Sequence, residues 1–359
     1  GFSAGTYVMV DNSANMGVQE FKTLVIEPGV IIKMASGQLF RVDGTLIADG
    51  TPADPIVFTS YRDNSYGGNT NLSTDTNPPA PGNWRYVRIR PAVGASASII
   101  DNCVFAYGGT DNVGNLWIEG GSSTLTNQVT NIVSRRSSNM GIYISNVQMT
   151  IDGATVDTNG TYGIYIDGSS PRADVTLRNA AIRDNGSIGL RAADNSTFRE
   201  LSNSTIQRNN GSGVHVTNGT VPMAFVGNTV NDNNGHGIYV VSSSIGSSQF
   251  LFSGNTVSDN AADGIFSSAA TLLDNTLSGN RYPIGVTGRL GNRYTDSGGN
   301  DGNIITGNTF NNAIAIAGWM TTPIRDTLSN VFPQAITSNS YIAIDNLYAG
   351  FNEEVQHVS

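Results

Sequence analysis

The side chains best suited to proton transfer fall in one stretch of the chain. His215 and His236 lie within it, and Asp184 and Arg208 stand there at equivalent outward places on successive repeats, beside Asp157, Arg183, Asp232 and Asp259. An imidazole moves protons near neutral pH, and a guanidinium among carboxylates can hold a sugar acid. The plain alternative is a solvated turn of alternating charge. A second set follows the repeated glycines: Tyr143, Tyr165, Arg191, His215, Tyr239 and Phe266 are each the middle residue of a short strand, and alternation points them outward. Such a stripe suits stacking on the apolar faces of sugar rings, with Arg191 and His215 offering hydrogen bonds to hydroxyl or carboxylate groups. Its structural alternative is a ladder that stabilises parallel strands. The third set is Asp63, Asn64, Asn69, Asn71 and Asp75 around Gly67-Gly68, oxygen ligands on a flexible loop that would suit Ca²⁺, against the alternative of an ordinary polar loop.

A repeat must position these residues. The segments NGTYGIYI, NGSIGLRA, NNGSGVHV, NNGHGIYV and NAADGIFS each place Asn four residues before Gly, and the glycines Gly141, Gly163, Gly189, Gly213, Gly237 and Gly264 recur every 22 to 27 residues. Before each comes a short strand such as Asn228-Thr229-Val230 or Asn255-Thr256-Val257. A coil this short cannot bury its own apolar side, but stacked coils can, because each then pairs its backbone with the coils above and below. The pattern predicts an all-β chain, a parallel β-solenoid of roughly a dozen coils. Gly at the fixed position suits a turn with positive φ. The Asn row, Asn159, Asn185, Asn209, Asn233, Asn260 and Asn280, suits inward amides hydrogen-bonded along the axis, a scaffold and not a reaction centre.

Composition excludes several partners. The 359 residues carry a net charge of −9, and of 19 basic residues only Lys22 and Lys33 are lysine, so no polybasic stripe exists to track nucleic acid. No run approaches the ~18 apolar residues of a membrane-spanning helix. Cys103 is the one cysteine, which excludes an intrachain disulfide.

The segments GNTVNDNNGHGIYV and GNTVSDNAADGIFS resemble the repeats of right-handed parallel β-helix proteins, the pectate-lyase-like superfamily. The opening TLVIEPGVIIKMASGQLFRVDGTLIADGTPADPIVFTS is similar to the first block of large secreted bacterial surface proteins of that type. The resemblance implies a right-handed β-helix at the cell surface or secreted, on a fold that hosts lyases, hydrolases, adhesins and inert stalks alike. Gly235-His236-Gly237 is similar to an element of polygalacturonases, but the Asp pair that such hydrolysis uses is missing, and both glycines already belong to the repeat. A lyase of the superfamily would need a base near Ca²⁺ ligands. The outward row Thr155, Ala181, Thr205, Thr229, Thr256, Thr276 and Thr309 is similar to ice-binding faces, but its companion row is too irregular to match a lattice.

Four regions follow: opening coils at 1–60, a polar insertion at 61–83, central repeats at 84–320 and an irregular segment at 321–359. Ser13 to Lys22 would form at most a short helical cap. Tyr7-Val8-Met9-Val10-Asp11-Asn12 is echoed by Tyr341-Ile342-Ala343-Ile344-Asp345-Asn346, which suggests the start of another unit. Open solenoid ends template further strands, so end-to-end self-association or tandem neighbours are expected. The functional expectation is a non-catalytic structural or adhesion module touching polysaccharide through the stripe. The alternative is a polysaccharide lyase or glycoside hydrolase drawing on Asp184, Arg208, His215 and His236.

Overall fold

The computed structural model describes residues 2–280, apart from 10–15, 71–75, 93, 121–126, 169–172, 194–195, 218–222, 242–249 and 268–270. Beyond 280 it describes only the strand backbones at 282–286, 303–306, 309–311, 316–318, 324–325 and 343–344. The chain winds as a solenoid in which each coil gives one strand to each of three sheets of 12, 13 and 12 strands. Except for the last pair, Ile316–Gly318 with Ala343–Ile344, sheet neighbours among the described residues are strands three apart in chain order, and every named pairing is parallel, as stacked coils require. Among the described residues there is no helix; Met16–Val18, inside the expected helical cap, is a strand of the second sheet.

Alternation builds the core. In the second sheet Ile142, Ile164, Leu190, Val214, Ile238 and Ile265 are partners in register, all pointing inward and buried. The third sheet adds Phe198, Phe225 and Phe252, of which the last two stack at 5.0 Å. Each aliphatic row is covered only by the rows above and below it, so no coil is stable alone.

The Asn row forms as expected. Each side-chain oxygen accepts from the Nδ2 of the preceding Asn, at 2.9 Å from Asn159 to Asn185, 2.9 Å from Asn185 to Asn209 and 2.9 Å from Asn209 to Asn233. The same oxygens accept the backbone N–H of the preceding Asn, so each amide closes the turn of the coil before it. A parallel row of Asn228, Asn255 and Asn275 does the same at the turn from the third sheet to the first.

The repeat glycines correct the sequence reading. Gly141, Gly163, Gly189, Gly213 and Gly237 are absent from the left-handed region. They are needed for space: a Cβ on Gly213 would lie 2.7 Å from the carbonyl oxygen of Gly237, and one on Gly237 would lie 2.5 Å from that of Gly264. The left-handed turn falls instead just before each ladder Asn, at Thr158, Asp184, Arg208, Asp232 and Asp259, with φ between 51° and 56°. Asp tolerates that conformation best of these three residue types.

The polar insertion folds back on the first sheet. Lys33 points outward from its strand yet is fully buried, because its ammonium donates to the Gly68 carbonyl at 2.6 Å. Burial holds its pKa below the ordinary lysine value, partly countered by the Asp63 carboxylate. Farther along, Arg135 Nη2 donates to the Tyr66 hydroxyl at 2.9 Å, so the insertion reaches across several coils.

Candidate functional site

Strand register brings the predicted stripe into one column. Tyr143, Tyr165, Arg191, His215, Tyr239 and Phe266 are successive partners on the outer face of the second sheet. The column runs farther toward the N-terminus than the sequence reading took it, through Trp117 and Arg88 to Arg41. Those coils lack the Asn-to-Gly spacing that marks the others, so only alternation within 84–90 and 114–119 signalled them.

The column divides into two parts of different chemistry. In its N-terminal part, rings and ions satisfy one another. The Arg88 guanidinium lies 4.2 Å from the Trp117 ring and donates to Glu119 at 2.5 Å. Tyr143 donates its hydroxyl proton to Asp167 at 2.8 Å, and burial with that carboxylate holds the phenol far above its usual range.

The C-terminal part is less satisfied. Arg191 Nη2 donates to the Thr217 hydroxyl at 3.2 Å, while its Nη1 is buried without a hydrogen-bond partner among the described residues. No carboxylate among those residues pairs with Arg191, whereas Arg178, Arg183, Arg199 and Arg208 each have one. Next in register, half-buried His215 faces Tyr239, with ring centroids 4.4 Å apart. Burial, then the Arg191 charge and then His236 push the His215 pKa down to about 4, so its imidazole is neutral at physiological pH. Tyr239 and Phe266 stack at 4.9 Å with an interplanar angle of 5°.

A second outward row borders this one at the turn. His236, on the turn before its strand, packs its ring 5.2 Å from Tyr239 and 5.3 Å from Phe266. Its Nδ1 lies 3.0 Å from Asp263 Oδ2 on the next coil. Asp263 escaped the sequence reading because it opens the strand Asp263–Ser267 ahead of the marker glycine, outside the column considered; the signal available was its place one residue before Gly264, as His236 precedes Gly237.

The four residues considered for catalysis do not form one group. Asp184 and Arg208 make a bidentate exposed ion pair, at 2.8 and 2.9 Å, on the left-handed turns following first-sheet strands. No hydrogen bond, ion pair or ring contact among the described residues links that pair to His215 or His236. Asp157 and Arg183 form a looser ion pair at 3.5 Å on the same turns. The Thr155, Ala181, Thr205, Thr229 row stands in register on the first sheet.

The candidate calcium residues are only partly in view. The Asp63 carboxylate accepts from Thr59 at 2.7 Å and from the Ser65 hydroxyl at 2.5 Å, which ties it into the insertion's own fold. Asn64 and Asn69 are exposed, while Asn71 and Asp75 lie outside the described residues. Among the described residues no group of three or more His, Cys, Asp or Glu is placed to hold a metal ion. Most of the terminal echo and of 321–359 also lies outside them; Ala343–Ile344 joins the second sheet, whereas Gly5–Met9 belongs to the first.

No curated protein sequence matches the chain. Two mutant forms of the periplasmic alginate epimerase AlgG share its fold. One is 14% identical, with 92% of this chain and 79% of that chain covered and a TM-score of 0.58; the other is 13% identical, with coverages of 92% and 78% and a TM-score of 0.59. Endopolygalacturonase I from Stereum purpureum is 14% identical over 92% of this chain and 96% of that chain, at a TM-score of 0.41 that supports no inference. The model of the right-handed beta helix region matches residues 92–246 and 141–310, together well over half of the chain. With that match laid over three stacked parallel sheets, the chain belongs to the right-handed β-helix family.

Proposed function

We propose that this protein is an extracytoplasmic enzyme that acts on an acidic polysaccharide, removing the proton α to a uronate carboxylate on the outer face of the second sheet. The observation that carries this reading is the Arg191–His215–Tyr239 column, in which a neutral imidazole stands between an arginine that has no carboxylate partner among the described residues and an aromatic ring. In the reaction, Arg191 holds the sugar carboxylate and His215 takes the neighbouring carbon-bound proton. The electron pair of the broken C–H bond spreads into the carboxylate, where the guanidinium stabilises it. The pair then either expels the glycosidic oxygen, leaving an unsaturated uronate, or takes back a proton. The fold relationship to the alginate epimerase is consistent with this chemistry.

Hydrolysis by two carboxylates has less support. The carboxylates on this face are engaged, Glu119 with Arg88, Asp167 with Tyr143 and Asp263 with His236. A hydrolase needs two free ones flanking the bond. The purely structural or adhesive role expected from sequence gives no account of a half-buried imidazole held neutral beside a guanidinium that lacks a carboxylate among the described residues.

The test is incubation with a panel of polyuronates in deuterated water. The expected result is unsaturated uronate, or deuterium at the carbon α to the carboxylate, with His215→Ala reducing the rate by about 100-fold or more. Neither product from any polyuronate, with binding retained, would return the protein to a non-catalytic glycan-contacting role.

A further inference from the structure

Resting on the reading above, we propose that His236 and Asp263 form a proton-holding dyad at this site, in which Asp263 supplies a hydrogen-bond partner to His236 Nδ1 in both protonation states and leaves Nε2 to exchange protons with the bound sugar. The geometry carries this through an apparent conflict. The Asp263 backbone N–H donates to Nδ1 at 3.3 Å, which requires an unprotonated Nδ1. Asp263 Oδ2 lies 3.0 Å from the same nitrogen, which requires a protonated one. A nitrogen cannot be donor and acceptor at once, so the two contacts describe two states. In the neutral state with its proton on Nε2, the amide N–H is the partner. When a second proton arrives, Nδ1–H donates to the carboxylate, and the ion pair replaces the amide contact.

The surroundings fit that role. His236 Nε2 has no protein partner among the described residues, and the imidazole keeps 27% of its surface exposed. Its backbone N–H donates to the Ser212 hydroxyl at 3.2 Å, which anchors the turn. Besides Asp263, the titratable or charged groups around it are Tyr239 on its own coil and His215, which in turn lies beside Arg191. His215 and His236 contact the same Tyr239 ring, so the two imidazoles stand beside one side chain of the column. Two titratable groups in contrasting environments divide acid and base roles between them: His215 is held neutral, while a carboxylate waits for the protonated form of His236. In elimination, His215 accepts the carbon-bound proton and the cationic form of His236 gives its Nε2 proton to the departing glycosidic oxygen, which leaves the Nδ1 proton on the hydrogen bond to Asp263 until exchange with water restores the Nε2–H tautomer.

Nuclear magnetic resonance of the whole ¹⁵N-labelled protein tests the dyad without reference to turnover. At pH values where His236 is protonated, its Nδ1 proton is expected at low field, as for a hydrogen bond to carboxylate. At higher pH the ring is expected as the Nε2–H tautomer. Asp263→Asn keeps the amide and removes the carboxylate, so the low-field signal should vanish while the neutral tautomer stays. An Nδ1–H tautomer at high pH, or a low-field signal untouched by Asp263→Asn, overturns the dyad. In turnover, His236→Gln should lower kcat by about 100-fold with KM changed less than about twofold; an unchanged kcat overturns its use as a proton donor. Inactivity of the wild-type protein on every polyuronate sinks the enzymatic reading and this donor role together, whereas the resonance result stands or falls separately.

Discussion

His215 keeps its imidazole unprotonated to about pH 4, against an ordinary value of 6.5, because burial and then the Arg191 charge oppose the cation. An available base down to that pH predicts a rate that holds on the acid side until pH approaches 4. The same shift bears on stability. Between pH 6.5 and 4 the unfolded chain binds a proton at His215 that the folded chain does not, so stability falls as pH drops through that window. The contribution is fully present above 6.5 and gone below 4. Substituting His215→Phe should therefore flatten the acid loss of melting temperature in this window; an unchanged slope would show that the folded-state imidazole titrates normally. Arg191→Gln should weaken binding of a polyuronate and leave that of a neutral glucan little changed, as measured by calorimetry at two salt concentrations.

At the scale of the coil, two substitutions separate the reasons a repeat keeps a residue. Asn209→Ala removes an acceptor used by both N–H groups of Asn185 and a donor used by Asn233 and Ile182, all buried. Each orphaned group costs about 1–3 kcal/mol, so a loss on the order of 3 kcal/mol or more is expected in denaturant unfolding. Gly213→Ala should be comparably harmful, because its Cβ meets backbone of the next coil, whereas Gly254→Ala, with open space around it and φ of +63°, should cost only the left-handed strain of about 1 kcal/mol. Equal costs at the two glycines would refute the crowding argument. These elements also show what the chain's letters made legible. Asn-to-Gly spacing exposed the coils, the amide row and the column from Tyr143 to Phe266, since strand alternation settles which way each points. It misread the reason for Gly213, because spacing alone cannot distinguish a backbone that needs positive φ from one that needs close approach. Asp263 and Arg88 stayed hidden for other reasons: one opens its strand ahead of the marker Gly, and the other lies in a coil without that Gly.

Over the whole molecule, each coil is stabilised by its neighbours, so local stability should follow position. The first coil has a strand at Gly5–Met9 with no buried residue, and Phe21 on its turn is 71% exposed. The coils from 140 to 240 are buried along every inward row. Hydrogen exchange should accordingly be fastest in the opening strands and slowest in the central ones, with a gradient between. Uniform protection along the rod would mean instead that it opens as a single unit.

The carboxamides of the Asn row all face the same way, nitrogen toward the following winding and oxygen toward the preceding one. Their dipoles therefore add along the axis, and the rod has an electrical sense as well as a geometric one. A winding spliced in backwards would set nitrogen against nitrogen. A winding added to this part of the stack keeps the row unbroken only if it brings an asparagine aimed in the common direction.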